Sequence, residues 1–344
     1  MDTFKVSWTS PSNIALVKYW GKYPVQIPAN PSISFTLSKS LSKLSIIAEP
    51  VSSKEINVDF YFENELNEKF KVKIVKFLNT QIERFPWLLD FHLIMHSENT
   101  FPHSSGIASS ASSMSALNLA LLSLDQKITG HTPRTEDFYK EASDLSRQAS
   151  GSAGRSVYPM LATWGEIDSI EDSSNLFARP VSKDDVAPIF HNYCDSIIIV
   201  DAGEKSVSSR AGHALMETHP FAQERYARAR YNLSRLLVAM KDGDMKTFIE
   251  IVEEEALMLH SMMMTSIPSY ILLKPDSLLL IEKIKEFRNV QNIPVCFTID
   301  AGPNIHLLYP AEHKPAVMAW LDSEFSRFKI IHDEVGNGPE LLKD

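Results

Sequence analysis

A run of mostly small residues from Pro102 to Ser113, PHSSGIASSASS, opens directly onto the apolar stretch Met114 to Leu124. A turn rich in hydroxyls that feeds a helix N-terminus is a natural place for phosphate. The first amides of a helix lack partners within it and carry the positive end of the dipole, while Gly106 lets the backbone approach an anion closely. With the strand-like Phe91 to His96 just before it, the run commits the chain to a strand, a small-residue loop and a helix in succession. It is not a Walker loop, because it has one glycine and no lysine.

At 344 residues the chain exceeds what one ordinary core serves, so two packed domains are expected, residues 1–188 and 189–344. The boundary is drawn near 175–190, where Pro180 and the charged Ser182-Lys183-Asp184-Asp185 break the pattern. Thirty-four basic against 43 acidic residues, with no long basic run, argue against nucleic acid or an anionic membrane as partner. An anionic substrate must therefore be met by a few well-placed cations. The amino terminus lacks the pattern of a secretory signal, and no segment supplies about eighteen uninterrupted apolar residues, so the chain reads as cytoplasmic. Cys194 and Cys296 each sit in an apolar run and read as reduced core thiols.

Periodicity places strands at Phe4–Thr9, Ile33–Leu37, Leu44–Ala48 and Ile56–Phe62, and a helix over Phe70–Phe85. A charged helix from Glu136 to about Ala149 runs into a second small-residue loop, Ser150-Gly151-Ser152-Ala153-Gly154-Arg155-Ser156, and strand Leu161–Trp164 follows. The second half is richer in helices: Ala222–Met240, Asp244–Met264 and Ser277–Phe287, with strands at Ser196–Val200, Val295–Ile299, Ile305–Tyr309 and Phe328–Ile331. Strands and helices without a strict βαβα rhythm indicate an α+β architecture.

Two further segments suggest chemistry. In Asn13-Ile14-Ala15-Leu16-Val17-Lys18-Tyr19-Trp20-Gly21-Lys22, Lys18 interrupts an apolar stretch, and a cation so placed needs a partner. In Thr298-Ile299-Asp300-Ala301-Gly302-Pro303-Asn304, a carboxylate stands at the tip of an apolar strand before a Gly-Pro turn. Each feature alone has an ordinary structural reading: a capped helix start, a snorkelling lysine, an aspartate closing a turn, and for Arg155 a helix-end cation or an interface ion pair. Their joint presence shifts the balance.

Together these blocks, in this order over residues 13–304, resemble the diphosphomevalonate decarboxylase family of the GHMP superfamily of small-molecule kinases. The resemblance implies a GHMP kinase fold, with an amino-terminal domain like ribosomal protein S5 domain 2 and a ferredoxin-like carboxy-terminal domain. It implies ATP and Mg2+ as cofactors, mevalonate 5-diphosphate as substrate, and a homodimer. On this pattern Pro102, Ser104, Ser105, Gly106, Ile107, Ala108, Ser109 and Ser110 form the ATP phosphate loop, with Ser109 also a ligand of the metal. Asp300 faces the 3-hydroxyl of the substrate with Lys18 beside it, and Ser110 acts at the transferring phosphate. Arg155 binds the carboxylate or diphosphate, helped by Tyr19, Lys22, Ser150 and Ser152, and Ser208 is a further substrate-side serine.

The chain departs from the family's commonest wording at Asn30-Pro31-Ser32, at His103-Ser104-Ser105 and at Gly154, none of which is a catalytic assignment. His213 and His219 lack the spacing of a helical zinc pair and read as solvated or hydrogen-bonded, and Met262-Met263-Met264 reads as helix packing. Arg225, Arg228, Arg230 and Arg235 read as a solvated helix face or a dimer edge, with diphosphate binding as the lesser alternative. The rival activities are a mevalonate 5-phosphate decarboxylase or a 3-kinase of the same superfamily. A non-catalytic ligand-binding or scaffold protein on the same fold is the alternative from another class.

Overall fold

The computed structural model describes residues 2–101, 109–203 and 207–343. The chain begins with β1 (Phe4–Val17), the short β2 (Lys22–Tyr23) and β3 (Ile27–Pro28), the long β4 (Ser32–Pro50), β5 (Asn57–Phe62) and β6 (Glu65–Leu66). Helix α1 (Glu68–Asn79), β7 (Phe91–Asn99), α2 (Ser109–Thr129), α3 (Thr135–Ala149), β8 (Leu161–Gly165) and β9 (Ser174–Pro180) follow. The second half comprises β10 (Cys194–Ile199), α4 (Ser209–Leu215), α5 (Ala222–Asp242), α6 (Met245–Met264) and α7 (Pro275–Gln291). It ends with β11 (Cys296–Thr298), β12 (Ile305–Tyr309), α8 (Lys314–Glu324), β13 (Lys329–Glu334) and β14 (Glu340–Leu342).

The first sheet runs β14-β1-β4-β7-β5-β6, and β4 is its spine. One edge of β4 pairs with β1 along most of its length; the other edge pairs with β7 over Ser42–Pro50 and with β8 over Ser32–Phe35. Two short strands expected from periodicity are thus one strand of 19 residues. Serines Ser38, Ser40 and Ser42 mask its continuity in the sequence.

Polar residues also hide the length of β1, which continues through Ser10-Pro11-Ser12-Asn13 to Val17. Helix α2 lays a hydroxyl-bearing face on the strand and meets Ser10, while the turn after α3 meets Asn13. Trp8 Nε1 donates to Ser123 Oγ at 3.0 Å and Ser10 Oγ to Ser115 Oγ at 2.7 Å, while Ser112 Oγ lies 2.7 Å from Ser42 Oγ. Small side chains let helix and sheet approach closely, and mutual hydrogen bonds remove the cost of burying them. Helix α2 also starts earlier than its apolar stretch implies, at Ser109, so Ser112 and Ser113 belong to the helix rather than to the loop before it.

The second sheet is antiparallel, ordered β11-β12-β10-β13. Strand β10 alternates in the expected manner: Ile198 packs with Leu280, Ile284 and Val317 of α7 and α8, whereas Ile197 and Ile199 face Leu233, Leu236, Phe248 and Ile251 of α5 and α6. The latter core also contains Ile14, Leu16, Ile33 and Phe35 of the first sheet, so α5 and α6 lie between the two sheets. Strand β14 crosses back to pair with β1, Ser7 opposite Leu342. Strand β9 and helix α8 are additions to the expected elements, and helix α1 ends at Asn79, short of the expected Phe85. Both cysteines are free and buried. Among the described residues no helix is long and apolar enough to cross a membrane.

Candidate active site

A cavity of about 750 Å³ opens where these layers meet. The end of β1 brings Lys18 and Tyr19 to it, the start of α2 brings Ser109 and Ser110, the turn after α3 brings Ser150, Ser152 and Arg155, and the turn after β11 brings Asp300. Lys22, Ser208 and Arg210 complete this end. Every described residue of the expected site therefore lines one space. Pro102, Ser104, Ser105, Gly106, Ile107 and Ala108 lie outside the described residues.

At the floor Lys18 Nζ donates to Asp300 Oδ1 at 2.8 Å. The lysine side chain is 2% exposed and the carboxylate 28%, so the aspartate is the member that faces the cavity. Burial lowers the Lys18 pKa below its ordinary value, and the Asp300 charge and hydrogen bond oppose that shift. The snorkelling reading is excluded by this geometry.

Arg155 is buried too, but it has a different kind of company. Its Nε donates to Ser34 Oγ at 2.9 Å, Nη1 to Ser32 Oγ at 2.5 Å and Nη2 to Asn13 Oδ1 at 3.3 Å. All three acceptors are neutral, and among the described residues no carboxylate forms an ion pair with it. Desolvation pulls its pKa down to about 10. A buried guanidinium held by neutral acceptors at a cavity wall is a preformed seat for an anion. Asn13 is itself fixed, donating to Ser156 Oγ at 2.7 Å and to the Ser152 carbonyl at 3.1 Å.

Tyr19 packs its ring between Trp164 and His213, at centroid distances of 4.7 and 4.4 Å, and burial raises its phenol pKa, so the hydroxyl stays protonated. The turn beneath it demands glycine, because a Cβ on Gly151 would stand 2.7 Å from the Tyr19 ring. Lys22 Nζ donates to Gln26 Oε1 at 2.8 Å, and burial, then the neighbouring Arg210 charge, lowers its pKa. Ser150 Oγ lies 3.4 Å from Ser110 Oγ, joining the two small-residue segments. Ser208 lines the cavity while its hydroxyl caps α4, accepting from the Ala211 amide at 3.2 Å.

The other arm of the cavity is lined by Phe60, Phe62, Phe70 and Phe77, with Lys69, Lys73 and Asn99 at its edges. Flat apolar walls with a polar rim suit a nucleotide base, and Ser109 and Ser110 at the start of α2 lie along the same cavity.

Several participants escaped sequence reasoning. Ser32 and Ser34 read as ordinary strand serines, and only the folded sheet puts them under Arg155. Asn30, at the departure from the family wording, donates to the Lys18 carbonyl at 2.9 Å instead of facing the nucleotide arm. Arg210 carries a signal in the sequence, a cation two residues after Ser208, and it lines the cavity. Arg225 corrects an expectation: it is not on a solvated face but fully buried in an ion pair with Glu255, Nη2 to Oε2 2.7 Å. Arg230 remains exposed while donating to the Ala29 carbonyl at 2.9 Å, and Arg228 pairs with Glu254 near the surface. His213 is buried and accepts from the Gly21 amide through Nδ1 at 3.0 Å, and no group of three His, Cys, Asp or Glu among the described residues forms a metal cluster.

Comparison with known proteins gives the family and the fold. Residues 10–175 match the model of the diphosphomevalonate decarboxylase-like N-terminal domain, and residues 196–341 that of the mevalonate 5-diphosphate decarboxylase C-terminal domain. The chain is 29% identical to the diphosphomevalonate decarboxylase of Saccharomyces cerevisiae, over 93% of this chain and 82% of that one. It is 26% identical to that of Ganoderma lucidum, over 98% and 86%. The mevalonate diphosphate decarboxylase structure from Staphylococcus aureus superposes with a TM-score of 0.86 at 28% identity, covering 99% of each chain. A structure of MDDEF in complex with MVAPP, AMPPCP and magnesium superposes at 0.84 with 28% identity, covering 100% of each.

Proposed function

The chain belongs to the diphosphomevalonate decarboxylase family, and from that premise we propose that it converts mevalonate 5-diphosphate and ATP to isopentenyl diphosphate, ADP, phosphate and carbon dioxide in the mevalonate pathway. The observation that carries this reading is the pairing, in one cavity, of an anion seat and a hydroxyl acceptor: Arg155, without a carboxylate ion pair among the described residues, and Asp300 held by Lys18. A substrate with a carboxylate on one side of a tertiary alcohol satisfies both.

Phosphoryl transfer depends on positioning and charge neutralisation more than on covalent help from the protein. Asp300 accepts a hydrogen bond from the 3-hydroxyl and aligns it with the γ-phosphate of ATP, which the start of α2 receives. An ordinary aspartate is a weak base toward an alcohol, so the proton leaves late, as the P–O bond forms. Once C3 carries phosphate, that group leaves with its bonding electrons, and loss of carbon dioxide returns an electron pair to form the alkene. Arg155 aligns the carboxylate; too strong a grip would oppose its departure. Lys22 and Arg210 are the cations for the diphosphate end.

The donor set fits magnesium carried by a nucleotide. That ion keeps waters and phosphate oxygens as most of its ligands, so the hydroxyl of Ser109 suffices from the protein, and no all-protein cage exists among the described residues. When bound, it supplies neutralisation of the transferring phosphate. A homodimer in the cytoplasm belongs to the same reading.

The test is a coupled ADP assay with mevalonate, its 5-phosphate and its 5-diphosphate, together with detection of carbon dioxide. ADP and carbon dioxide in equal amounts from the diphosphate are expected. Preference for the monophosphate, or ADP without carbon dioxide, overturns the substrate or the decarboxylation respectively.

A further inference from the structure

Lys18 and Asp300 share an unusual backbone situation: each lies just past the end of a strand, β1 in one case and β11 in the other, where the sheet ladder no longer supplies hydrogen-bond partners. The Lys18 amide finds its partner on α6, and the Asp300 carbonyl, which accepts from the Gly302 amide at 2.7 Å within its own turn, finds a second partner there. The Lys18 amide donates to Glu255 Oε2 at 3.0 Å, and the Asp300 carbonyl accepts from His260 Nε2 at 3.1 Å. The acceptor is a carbonyl, so His260 carries its proton on Nε2.

Glu255 is not a loose acceptor. Arg225 Nη1 donates to its Oε1 at 3.1 Å and Nη2 to its Oε2 at 2.7 Å, and Asn232 Nδ2 donates to Oε1 at 2.8 Å. Arg225 Nη2 also reaches the Lys18 carbonyl at 3.1 Å, as Asn30 Nδ2 does at 2.9 Å. Both main-chain polar groups of Lys18 are thereby clamped by side chains. Arg225 and Glu255 are completely buried, and such a pair is a poor source of stability compared with apolar residues of the same size. What it supplies here is a fixed direction for one backbone segment.

We propose that α6 is the positioning element of the reacting pair, with Glu255, locked by Arg225, setting the Lys18 main chain and His260 setting that of Asp300. The two residues are five apart, about 7.5 Å along the helix axis. One rigid rod thus sets the relative position of two side chains from opposite ends of the sequence. Glu255, Arg225 and His260 are positioning residues: they act through backbone atoms. The inference rests on the functional reading above only in taking Lys18 and Asp300 as the groups at the reacting hydroxyl.

Three variants test it: His260→Leu, which removes the donor; His260→Gln, which restores one; and the double variant Arg225→Met/Glu255→Met, which replaces the buried ion pair with apolar side chains of similar length. Two readouts separate the possibilities. In turnover assays, His260→Leu and the double variant should lose about 10- to 100-fold in kcat, with the KM for ATP within about threefold and His260→Gln recovering most of the loss. In 15N-lysine NMR, with the Lys18 amine assigned through Lys18→Arg, its titration should move to lower pH in His260→Leu. The Asp300 charge that opposes burial would then be less well placed, while Glu255 and Arg155, the other charges acting on Lys18, are unchanged. Wild-type kcat and an unmoved Lys18 titration in folded His260→Leu would overturn the proposal, whether or not the double variant folds. Absence of carbon dioxide from the wild type would instead overturn the functional reading, and the NMR titration would still decide the positioning.

Discussion

Lys18 Nζ lies 2.8 Å from Asp300 Oδ1 although 282 residues separate them in the chain. The lysine is sealed and the carboxylate faces the cavity, so the pair presents one reactive acceptor with a counter-charge behind it. Among the described residues the neighbouring guanidinium of Arg155 has only neutral hydrogen-bond acceptors, so beside the paired Lys18 stands a buried cation open to an anion.

Asp300→Asn keeps the size of the side chain but loses the charge that orients the hydroxyl and balances Lys18. Turnover is expected to fall by about 10²- to 10⁴-fold, with the KM for ATP little changed. ADP release under saturating substrate measures this; near-wild-type kcat would remove Asp300 from its role.

The alkaline side of the activity profile should report Lys18. Its folded-state pKa is below the ordinary 10.5, so the ammonium that holds Asp300 is lost before a free lysine would lose it. Activity should decline on the alkaline side before pH 10.5. Stability has the opposite sign from this group: between the lowered value and 10.5 the unfolded chain binds the extra proton, so the contribution of Lys18 to stability rises with pH in that window. A kcat profile flat through 10.5 contradicts the assignment.

His213 predicts acid sensitivity. Burial depresses its pKa from 6.5 to about 3, and its Nδ1 already accepts from the Gly21 amide, so protonation there would set two donors face to face. The unfolded chain takes up this proton near 6.5 and the folded chain only near 3, so stability is intact above 6.5 and is lost as pH falls through that interval. Urea midpoints at neutral and mildly acid pH should converge in His213→Asn, which offers an acceptor that does not titrate. An unchanged gap between the two midpoints would show that another group is responsible.

Gly151→Ala places a Cβ 2.7 Å from the Tyr19 ring and must displace it. Because Tyr19 forms a wall of the cavity, kcat/KM for the acid substrate should drop by about 10- to 100-fold while nucleotide binding persists. Fluorescent nucleotide titration beside the turnover assay separates the two; equal loss in both would indicate general collapse of the site.

Lys22→Met and Arg210→Met should raise the KM for the diphosphate substrate by about tenfold each and leave the KM for ATP nearly unchanged, since they remove cations from the substrate end alone. The 5-phosphate should be less affected than the 5-diphosphate. Identical losses for both substrates would place the two cations elsewhere than at the terminal phosphate.

Much of the site was legible because its chemistry is local in sequence. Lys18 in an apolar run and Asp300 before Gly302-Pro303 are anomalies that a core does not explain, and the serine run before Met114 marks a helix start without help from tertiary contacts. The long strands were less legible. Ser10, Ser12 and Asn13 in β1, and Ser38, Ser40 and Ser42 in β4, break the apolar alternation on which strand reading depends. Their place in the strands makes sense only when the hydroxyls of α2 meet Ser10 and Ser42, the Asp333 carboxylate meets the amides of Ser38 and Ser40, and Arg155 meets Asn13.

Arg225 marks the boundary between the two kinds of information. Among four arginines on one helix, nothing in the local pattern separates the buried one from its solvated neighbours, because a guanidinium is tolerated inside only where other elements bring it hydrogen-bond acceptors, and Glu255 lies on the next helix. Residue order alone establishes which groups can carry charge, which segment starts a helix with free amides, and which family the chain resembles. Which charges are paired, which is left for an anion, and that one helix holds both Lys18 and Asp300 emerge from the packing, because burial and distance are properties of packed surfaces and not of neighbours along the chain.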